Sequence, residues 1–402
     1  EARRRWSWGL GGDPKSRAGR QKTGSTATGF VLPKTIEPDI FHQRAPSKMR
    51  GMTMGFVVGL AYNLKKDCPR SEMVVEDADA EFEEQATVDR IVKALRAAGH
   101  RVVRMPYGPG LLSRLQRDHV DIVFNIAEGW DGRCREAIVP AILESLGVPY
   151  TGSDPLTLAV CLDKAVTKAI VSSYGVPTPR SVKVETADEL HKVDLDFPLF
   201  VKPAYEGSSK GVRSSSKVID REELARMVSW ITGSYRQPAL VEEFLPGREF
   251  TVGILGNNDL ETLPIMEVRP VADIAPESFV YCYNTKHDNM ERFLCPAPVS
   301  DDLAEKIRDV AVRAYRVLEC RDLARVDVRL DRAGNPNFLE INPLPGLSTA
   351  SLYPIAAMAA GLSFEDLVLR ILEVAASRVN LAARKRAQDA VARRSRSALA
   401  RT

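Results

Sequence analysis

Between Gly55 and Leu146 the chain alternates short apolar runs with amphipathic stretches, and that alternation leaves few folds open. Phe56 to Leu60, Arg101 to Met105 and Val120 to Ile126 read as strands, the last apolar almost throughout, as a strand covered on both faces must be. Phe82 to Ala98 carries Val88, Ile91, Val92 and Leu95 at helical spacing, and Leu111 to Gln116 and Arg135 to Leu146 read as further helices. Strands and helices in turn give a parallel sheet with covering helices. Ligands of such sheets sit at the carboxyl ends of the strands. That rule puts Ala61-Tyr62-Asn63 and Glu128-Gly129-Trp130-Asp131-Gly132 on the functional edge.

A turn-rich boundary, Pro149 to Asp154, is followed by a helix expected over Pro155 to Tyr174, carrying Asp163-Lys164. The connector Gly175 to Arg180 leads to a buried strand, Leu199 to Val201, that ends on Lys202-Pro203 and feeds Glu206-Gly207-Ser208-Ser209-Lys210-Gly211. Small residues let backbone N–H groups close over an anion, and a lysine at the strand end adds a point charge, so the stretch reads as a phosphate-handling device. A helix from Glu222 to Ile231 follows. A third region opens near Ala239 and holds more strands, a helix from Leu303 to Leu318 and a last helix from Phe364 to Ala376.

Two strands of that region carry acids in a pattern. The two-residue strand period puts Arg325, Asp327 and Arg329 on one face, and Glu340 and Asn342 on one face of the next strand. Val326, Val328, Leu339 and Ile341 then face the core. Asp, Glu and Asn oxygens suit Mg²⁺, which keeps waters and takes substrate phosphates. Arg325 beside them fits a phosphate or an acyl oxyanion. Together with Lys164, Lys202 and Lys286 these residues form an inventory for a nucleoside triphosphate. No Gly-x-x-x-x-Gly-Lys-Ser/Thr loop is present, nor a His-Arg-Asp loop paired with Asp-Phe-Gly, so P-loop and protein-kinase chemistry are excluded.

The 402 residues leave room for two or three domains. A net charge of +3 hides an asymmetry: residues 1–50 carry eleven Lys/Arg against four Asp/Glu, and residues 378–402 eight against one. The basic character therefore belongs to the two ends, read as solvated, disordered tails, while the folded body is acidic. A nucleic-acid binder would need basic residues interleaved with aromatics in the body, and these are missing. The six cysteines form no zinc or redox spacing, which points to reduced thiols and a cytoplasmic setting. No apolar run approaches the ~18–20 residues of a membrane span.

On these residues the chain resembles the D-alanine–D-alanine ligase family of the ATP-grasp superfamily. The resemblance runs from about Gly55 to Ala376. It rests on Val201-Lys202-Pro203 with Glu206-Gly207-Ser208-Ser209, Glu242 with Pro246-Gly247-Arg248-Glu249-Phe250, Arg325-Val326-Asp327, and Glu340-Ile341-Asn342 with Pro345-Gly346. It implies an N-terminal parallel α/β domain (51–150), a central subdomain (151–242) and a C-terminal catalytic subdomain (243–377), the last two α+β and enclosing ATP. It implies that Lys164 and Lys202 bind ATP phosphates, that Gly207 to Gly211 form the loop closing over them, and that Glu206 is among the cofactor-binding residues. Glu242, Glu243, Phe244 and Leu245 would hold the adenine largely by backbone, with Glu249 on the ribose. Lys286 would reach the γ-phosphate from a mobile loop. Asp327, Glu340 and Asn342 would hold two Mg²⁺, with Mn²⁺ as the alternative, and Arg325 would stabilise the tetrahedral oxyanion. Gly346, Ser351 and Leu352 would shape the second-substrate pocket, and Ser209, Glu128 and His287 complete the expected catalytic and substrate-binding set. The reaction implied is ATP-dependent joining of two amino acids through an acyl-phosphate, supplying a cell-wall dipeptide, by a homodimer acting on small molecules.

Three positions depart from that family. Gly59-Leu60-Ala61-Tyr62-Asn63 stands where Gly-Gly-x-Ser is usual, followed by the acidic run Glu81, Glu83, Glu84. Glu128 replaces a histidine, and His287 replaces a tyrosine. A carboxylate at 128 favours extra positive charge on the substrate, and a histidine at 287 bears on whether an amine or a hydroxyl attacks. The alternatives are a related ATP-grasp ligase joining a different amino acid, hydroxy acid or peptide, and a nucleotide-binding regulator. The complete metal face and Arg325 speak against the regulator.

Overall fold

The computed structural model describes residues 55–68, 75–271, 280 and 291–386. The N-terminal basic segment 1–50, Lys286 and His287 lie outside them.

Three strands, β1 (Val57–Tyr62), β2 (Arg101–Pro106) and β3 (Ile122–Ile126), form a parallel sheet in the order β2-β1-β3. Helix α1 (Gln85–Ala97) buries Val88, Ile91, Val92 and Leu95, the stripe expected from its spacing. Helices α2 (Leu111–Arg117) and α3 (Ile138–Ser145) follow. Residues Arg135–Ala137, expected within the third helix, form a separate 3-10 turn ahead of it.

The single helix expected over 155–174 is two helices, α4 (Pro155–Leu162) and α5 (Lys164–Ser173). Asp163 breaks it. Its backbone is extended (φ −84°, ψ 97°), and its carboxylate accepts from the N–H groups of Ala165 and Val166, the two-donor cap that starts a new helix. The break sets Lys164 at the head of α5, where its N–H donates to Ala204 O at 3.0 Å.

A four-stranded antiparallel sheet follows in the order β4-β7-β5-β6, built from β4 (Ser181–Val184), β5 (Leu199–Pro203), β6 (Lys217–Val218) and β7 (Ala239–Glu243). Helix α6 (Arg221–Ser234) covers it, with Leu224, Val228 and Ile231 sealed against Val184, Leu199, Val201 and Val241.

The third sheet is also antiparallel, in the order β11-β10-β8-β12-β13 with β9 on β8. Its strands are β8 (Glu249–Leu255), β9 (Glu261–Thr262), β10 (Met266–Pro270), β11 (Glu291–Leu294), β12 (Leu323–Leu330) and β13 (Pro336–Asn342). Helix α7 (Asp301–Val317) packs Ile307, Val310, Ala311 and Ala314 on this sheet. Helices α8 (Leu352–Ala359) and α9 (Phe364–Arg378) join its other side to the parallel sheet, in one core that runs from Val58 and Leu60 to Leu367 and Ile371.

Two expectations shift here. Leu339 was expected in the core, but a register shift opposite Asp327/Val328 makes it the extra residue of a bulge; Phe338 is fully buried and Leu339 is not. Residues 378–386, read as the start of a solvated tail, are docked instead. Arg378 pairs with Asp322 at 2.7 Å, Leu381 is buried, and Lys385 reaches Asp121 at 2.6 Å.

Candidate active site

Lys202 is the fourth residue of β5. Its Nζ lies 2.9 Å from Glu242 Oε1 on the neighbouring strand β7. A second lysine, Lys168, comes within 3.1 Å of the other oxygen of the same carboxylate and donates to Thr178 Oγ1 at 3.0 Å. All three charged side chains are buried. Burial pushes the Lys168 ammonium down to about 8 against the pull of Glu242. Burial also opposes the charge on Lys202, but Glu242 and Glu340 outweigh it and raise that lysine. Burial works against the Glu242 carboxylate too, and the two lysines hold it below its ordinary range. Two cations on one anion leave a positive excess pointing to a polyanionic ligand. Lys168 escaped the sequence reading. Its signal was its spacing, four residues after Lys164 and so on the same face of α5.

Lys164 bridges the other way. Its Nζ donates to Glu206 O and lies 3.6 Å from Glu340 Oε2. It thereby ties the Gly/Ser loop to the acidic face of the third sheet.

That face has the composition expected from strand periodicity. Arg325 and Asn342 are paired across β12 and β13, and Asp327 faces Glu340. The Arg325 fork donates to both Asp327 oxygens at 3.0 and 2.8 Å. Thr251 Oγ1 (2.6 Å) and Asn342 Nδ2 (3.3 Å) also donate to Asp327. Arg329 leaves the group to pair with Glu249 at 3.0 Å. Burial raises the Glu249 carboxyl, Arg329 opposes this, and Asp327 adds to it. Asp327, Glu340 and Asn342 offer hard oxygen donors from neighbouring strands, the donor set Mg²⁺ takes. The described residues hold no cluster of three His, Cys, Asp or Glu side chains arranged for a metal, so any such ion would need the asparagine, waters and substrate oxygens as well.

The Gly/Ser loop is a turn held by Asp77 and Glu81, which lie between β1 and α1. Ser208 (φ 49°), Ser209 (φ 63°) and Gly211 (φ 69°) are left-handed. Gly207 N–H donates to Glu81 Oε1 at 2.7 Å and Gly211 N–H to Asp77 Oδ2 at 2.8 Å. Lys210 Nζ is 2.6 Å from Glu206 and 3.3 Å from Glu81. A Cβ on Gly211 would fall 2.3 Å from Pro203 Cγ in addition to its left-handed backbone. Gly211→Ala is therefore expected to lower stability by about 2 kcal/mol or more, read in urea unfolding. An unchanged midpoint would mean the loop is not held at this position.

Behind the loop sits Arg135. Its guanidinium donates to Glu81 at 2.8 and 2.9 Å, to Glu206 at 3.2 Å and to Tyr205 O at 2.9 Å. Burial would raise the Glu81 carboxyl, but Arg135 and Lys210 hold it down to about 2. Glu83 accepts from Leu347 N–H at 3.0 Å, next to Gly346 and Ser351. Ser351 precedes α8, which begins with Leu352, and its Oγ is 2.8 Å from Ser348 Oγ. Of the segment expected at the adenine, Glu243 N–H goes to Arg180 O and Phe244 N–H to Pro198 O. Backbone recognition over 242–245 would thus rest on the remaining groups, with Leu245 buried beside them. The Glu243 side chain turns away to Arg180 at 3.6 Å.

Two antiparallel sheets with helices, one presenting paired lysines and a Gly/Ser loop and the other an Asp/Glu/Asn face, set against a parallel α/β unit, are the architecture of an ATP-grasp ligase. The family model described as D-ala D-ala ligase C-terminus matches residues 170–373. The D-alanine–D-alanine ligase of Cupriavidus metallidurans is 37% identical over 290 residues, covering 71% of this chain and 85% of that one. The chain belongs to the D-alanine–D-alanine ligase family. The uncharacterized protein y4sG of Sinorhizobium fredii is 41% identical over 297 residues, covering 71% of this chain and 86% of that protein. Among solved structures, the Bacillus anthracis D-alanine–D-alanine ligase complexed with ATP superposes with a TM-score of 0.64 at 25% identity, covering 81% of this chain and 98% of that one. The fold is shared as well with the VanG D-Ala:D-Ser ligase of Enterococcus faecalis (TM-score 0.61, 21% identity, 80% and 100% covered).

Proposed function

We propose that the protein joins two amino acids at the expense of ATP, as the D-alanine–D-alanine ligases among its relatives do by name, and that its product serves cell-wall synthesis. The observation that carries this reading is the convergence on one crevice of Lys164, Lys202 and Lys168, the lid, and the Arg325/Asp327/Glu340/Asn342 face.

In this reading the carboxylate of the first amino acid attacks the γ-phosphorus of ATP, and the bond to ADP breaks. The amine of the second then attacks the acyl-phosphate carbon, a proton is lost and phosphate leaves. Lys164, Lys168 and Lys202 neutralise phosphate charge, as does Lys286 from outside the described residues. Mg²⁺, or Mn²⁺, would be held by Asp327, Glu340 and Asn342 and would supply charge neutralisation. Arg325 would donate to the oxyanion at the attacked carbon. The lid, with Glu206, Gly207, Ser208 and Ser209, excludes water from the acyl-phosphate. Glu242 to Leu245 and Glu249 take the nucleoside, and Glu128, His287, Gly346, Ser351 and Leu352 line the amino-acid side. The described cysteines are free thiols, which suits a cytoplasmic enzyme. Among the described residues no helix is long and apolar enough to cross a membrane. The homodimer implied by the resemblance is checked by light scattering.

The test is phosphate release with ATP, Mg²⁺ and a panel of D- and L-amino acids, with mass detection of products. Release with formation of a dipeptide is expected. Absence of both with every acid would overturn the reading.

A further inference from the structure

Lys168 and Lys202 lie on α5 and β5, Glu340 lies on β13, and one short connector touches both sides. Thr178 belongs to that connector, between α5 and β4. Its Oγ1 accepts from Lys168 Nζ at 3.0 Å and donates to Phe338 O at 2.9 Å. One residue earlier, Pro177 O accepts from Phe338 N–H at 2.8 Å. Two successive residues of the connector thus hold both backbone groups of Phe338.

Phe338 is where β13 leaves its register. It pairs with Val328 of β12, while Glu340 pairs with Asp327, so Leu339 is the extra residue. Bulges of this kind re-aim a neighbouring side chain and are common beside active sites. Glu340 is that side chain here, so its aim depends on how firmly Phe338 is held. Lys164, four residues before Lys168 on α5, lies 3.6 Å from Glu340 Oε2 and restrains the same carboxylate directly.

The Thr178 proton has one direction open to it. An ammonium carries three donors and no acceptor, so the hydroxyl accepts from Lys168 and turns its single proton elsewhere. Phe338 O is the acceptor within reach. Lys168 is only 3% exposed and sits 3.1 Å from Glu242 Oε2, and the other oxygen of that carboxylate is 2.9 Å from Lys202 Nζ. Contacts therefore run unbroken from Lys202 through Glu242, Lys168 and Thr178 to the bulge before Glu340. A hydroxyl polarised by a cation on one side bonds its acceptor on the other more strongly than a free one.

We infer that Thr178 is a positioning residue of the ligase: its hydroxyl, oriented by Lys168, holds the β13 bulge that sets Glu340 for the divalent cation accompanying the nucleotide. This rests on the ligase reading above and deepens it. Thr178 acts through Phe338 O, without itself touching nucleotide or metal.

The experiment measures ADP binding to the full-length protein by calorimetry, once with Mg²⁺ and once with EDTA. The ratio of the two affinities is the tightening that the metal gives. Thr178→Val keeps the shape and removes the hydroxyl, and should reduce that tightening about tenfold or remove it, while ADP affinity in EDTA changes little. Thr178→Ser keeps the hydroxyl and should retain the tightening. Thr178→Ala, made in parallel, should match the valine variant and guards against one variant failing to fold. A merely structural role would instead weaken ADP by the same factor with and without Mg²⁺. In a Lys168→Met background the valine change should add nothing further, since the hydroxyl has already lost what orients it. Unchanged tightening in Thr178→Val and Thr178→Ala, equal loss in the serine and valine variants, or a parent that binds ADP with no tightening by Mg²⁺ would overturn the inference while leaving phosphate release with amino acids to stand. Additive effects of Lys168→Met and Thr178→Val would overturn the part given to Lys168. A parent that neither binds ADP nor releases phosphate with any acid would sink the ligase reading, and the inference with it.

Discussion

Lys202→Ala should abolish ATP turnover and leave the protein folded. Removing this lysine takes a positive charge from a buried site read as binding phosphate, where water cannot replace it. A drop in kcat/KM of at least about 10³-fold, roughly 4 kcal/mol, is expected. Glu242 is not stranded by the change, because Lys168 still lies 3.1 Å from its other oxygen. Melting should therefore shift far less than activity. The check is ADP release at saturating amino acid, alongside a thermal melt. Turnover within about tenfold of the parent would remove Lys202 from the phosphate site.

Glu242→Gln should do the opposite and strike the fold first. It leaves Lys168 and Lys202 buried side by side with no anion between them. Breaking a buried pair by removing one partner typically costs about 3–5 kcal/mol. For a body of this size that is a fall in melting temperature of roughly 5 °C. The sign of its pH dependence follows from Lys168, already depressed to about 8. In the variant Lys168 loses its anion and shifts further down, while Lys202 falls from its raised value, so the unfolded chain binds more protons at Lys168 than the native one. Stability then rises with pH from the depressed native pKa up to the unfolded lysine value of about 10.4. The penalty should shrink in alkaline buffer, and a penalty independent of pH would mean that lysine charge is not its cause.

The two variants also show which parts of the molecule local sequence could reveal. The strands and helices of the N-terminal domain follow from apolar spacing, because each side chain is sorted by burial alone. The faces of β12 and β13 follow from strand period in the same way, up to the bulge at Leu339, which depends on a partner strand and not on its own neighbours. The break at Asp163 has no Gly or Pro to mark it. It exists because the carboxylate can cap a second helix. Lys168 looks like any surface lysine on α5 until the sheet carrying Glu242 is laid over it. The hold of Glu81 and Asp77 on the lid spans more than a hundred residues of chain, and no local pattern encodes it. Glu128 stood out only as a departure from a family pattern.

Glu81 holds both Gly207 N–H of the Gly/Ser loop and the Arg135 guanidinium with one carboxylate. A nucleotide that draws Gly207 N–H or Lys210 toward its phosphates must change the charge that Glu81 presents to the amino acid. An amino acid that engages Glu81 or Arg135 must in turn change how firmly the lid is held. Thermodynamic linkage makes these two effects equal: the factor by which one ligand alters the other's affinity is the same in both directions. In the ligase proposed above, the nucleotide and amino-acid halves of the reaction would then be coupled. They share one ion-pair cluster as a common balance point, and whichever ligand arrives first resets it for the second.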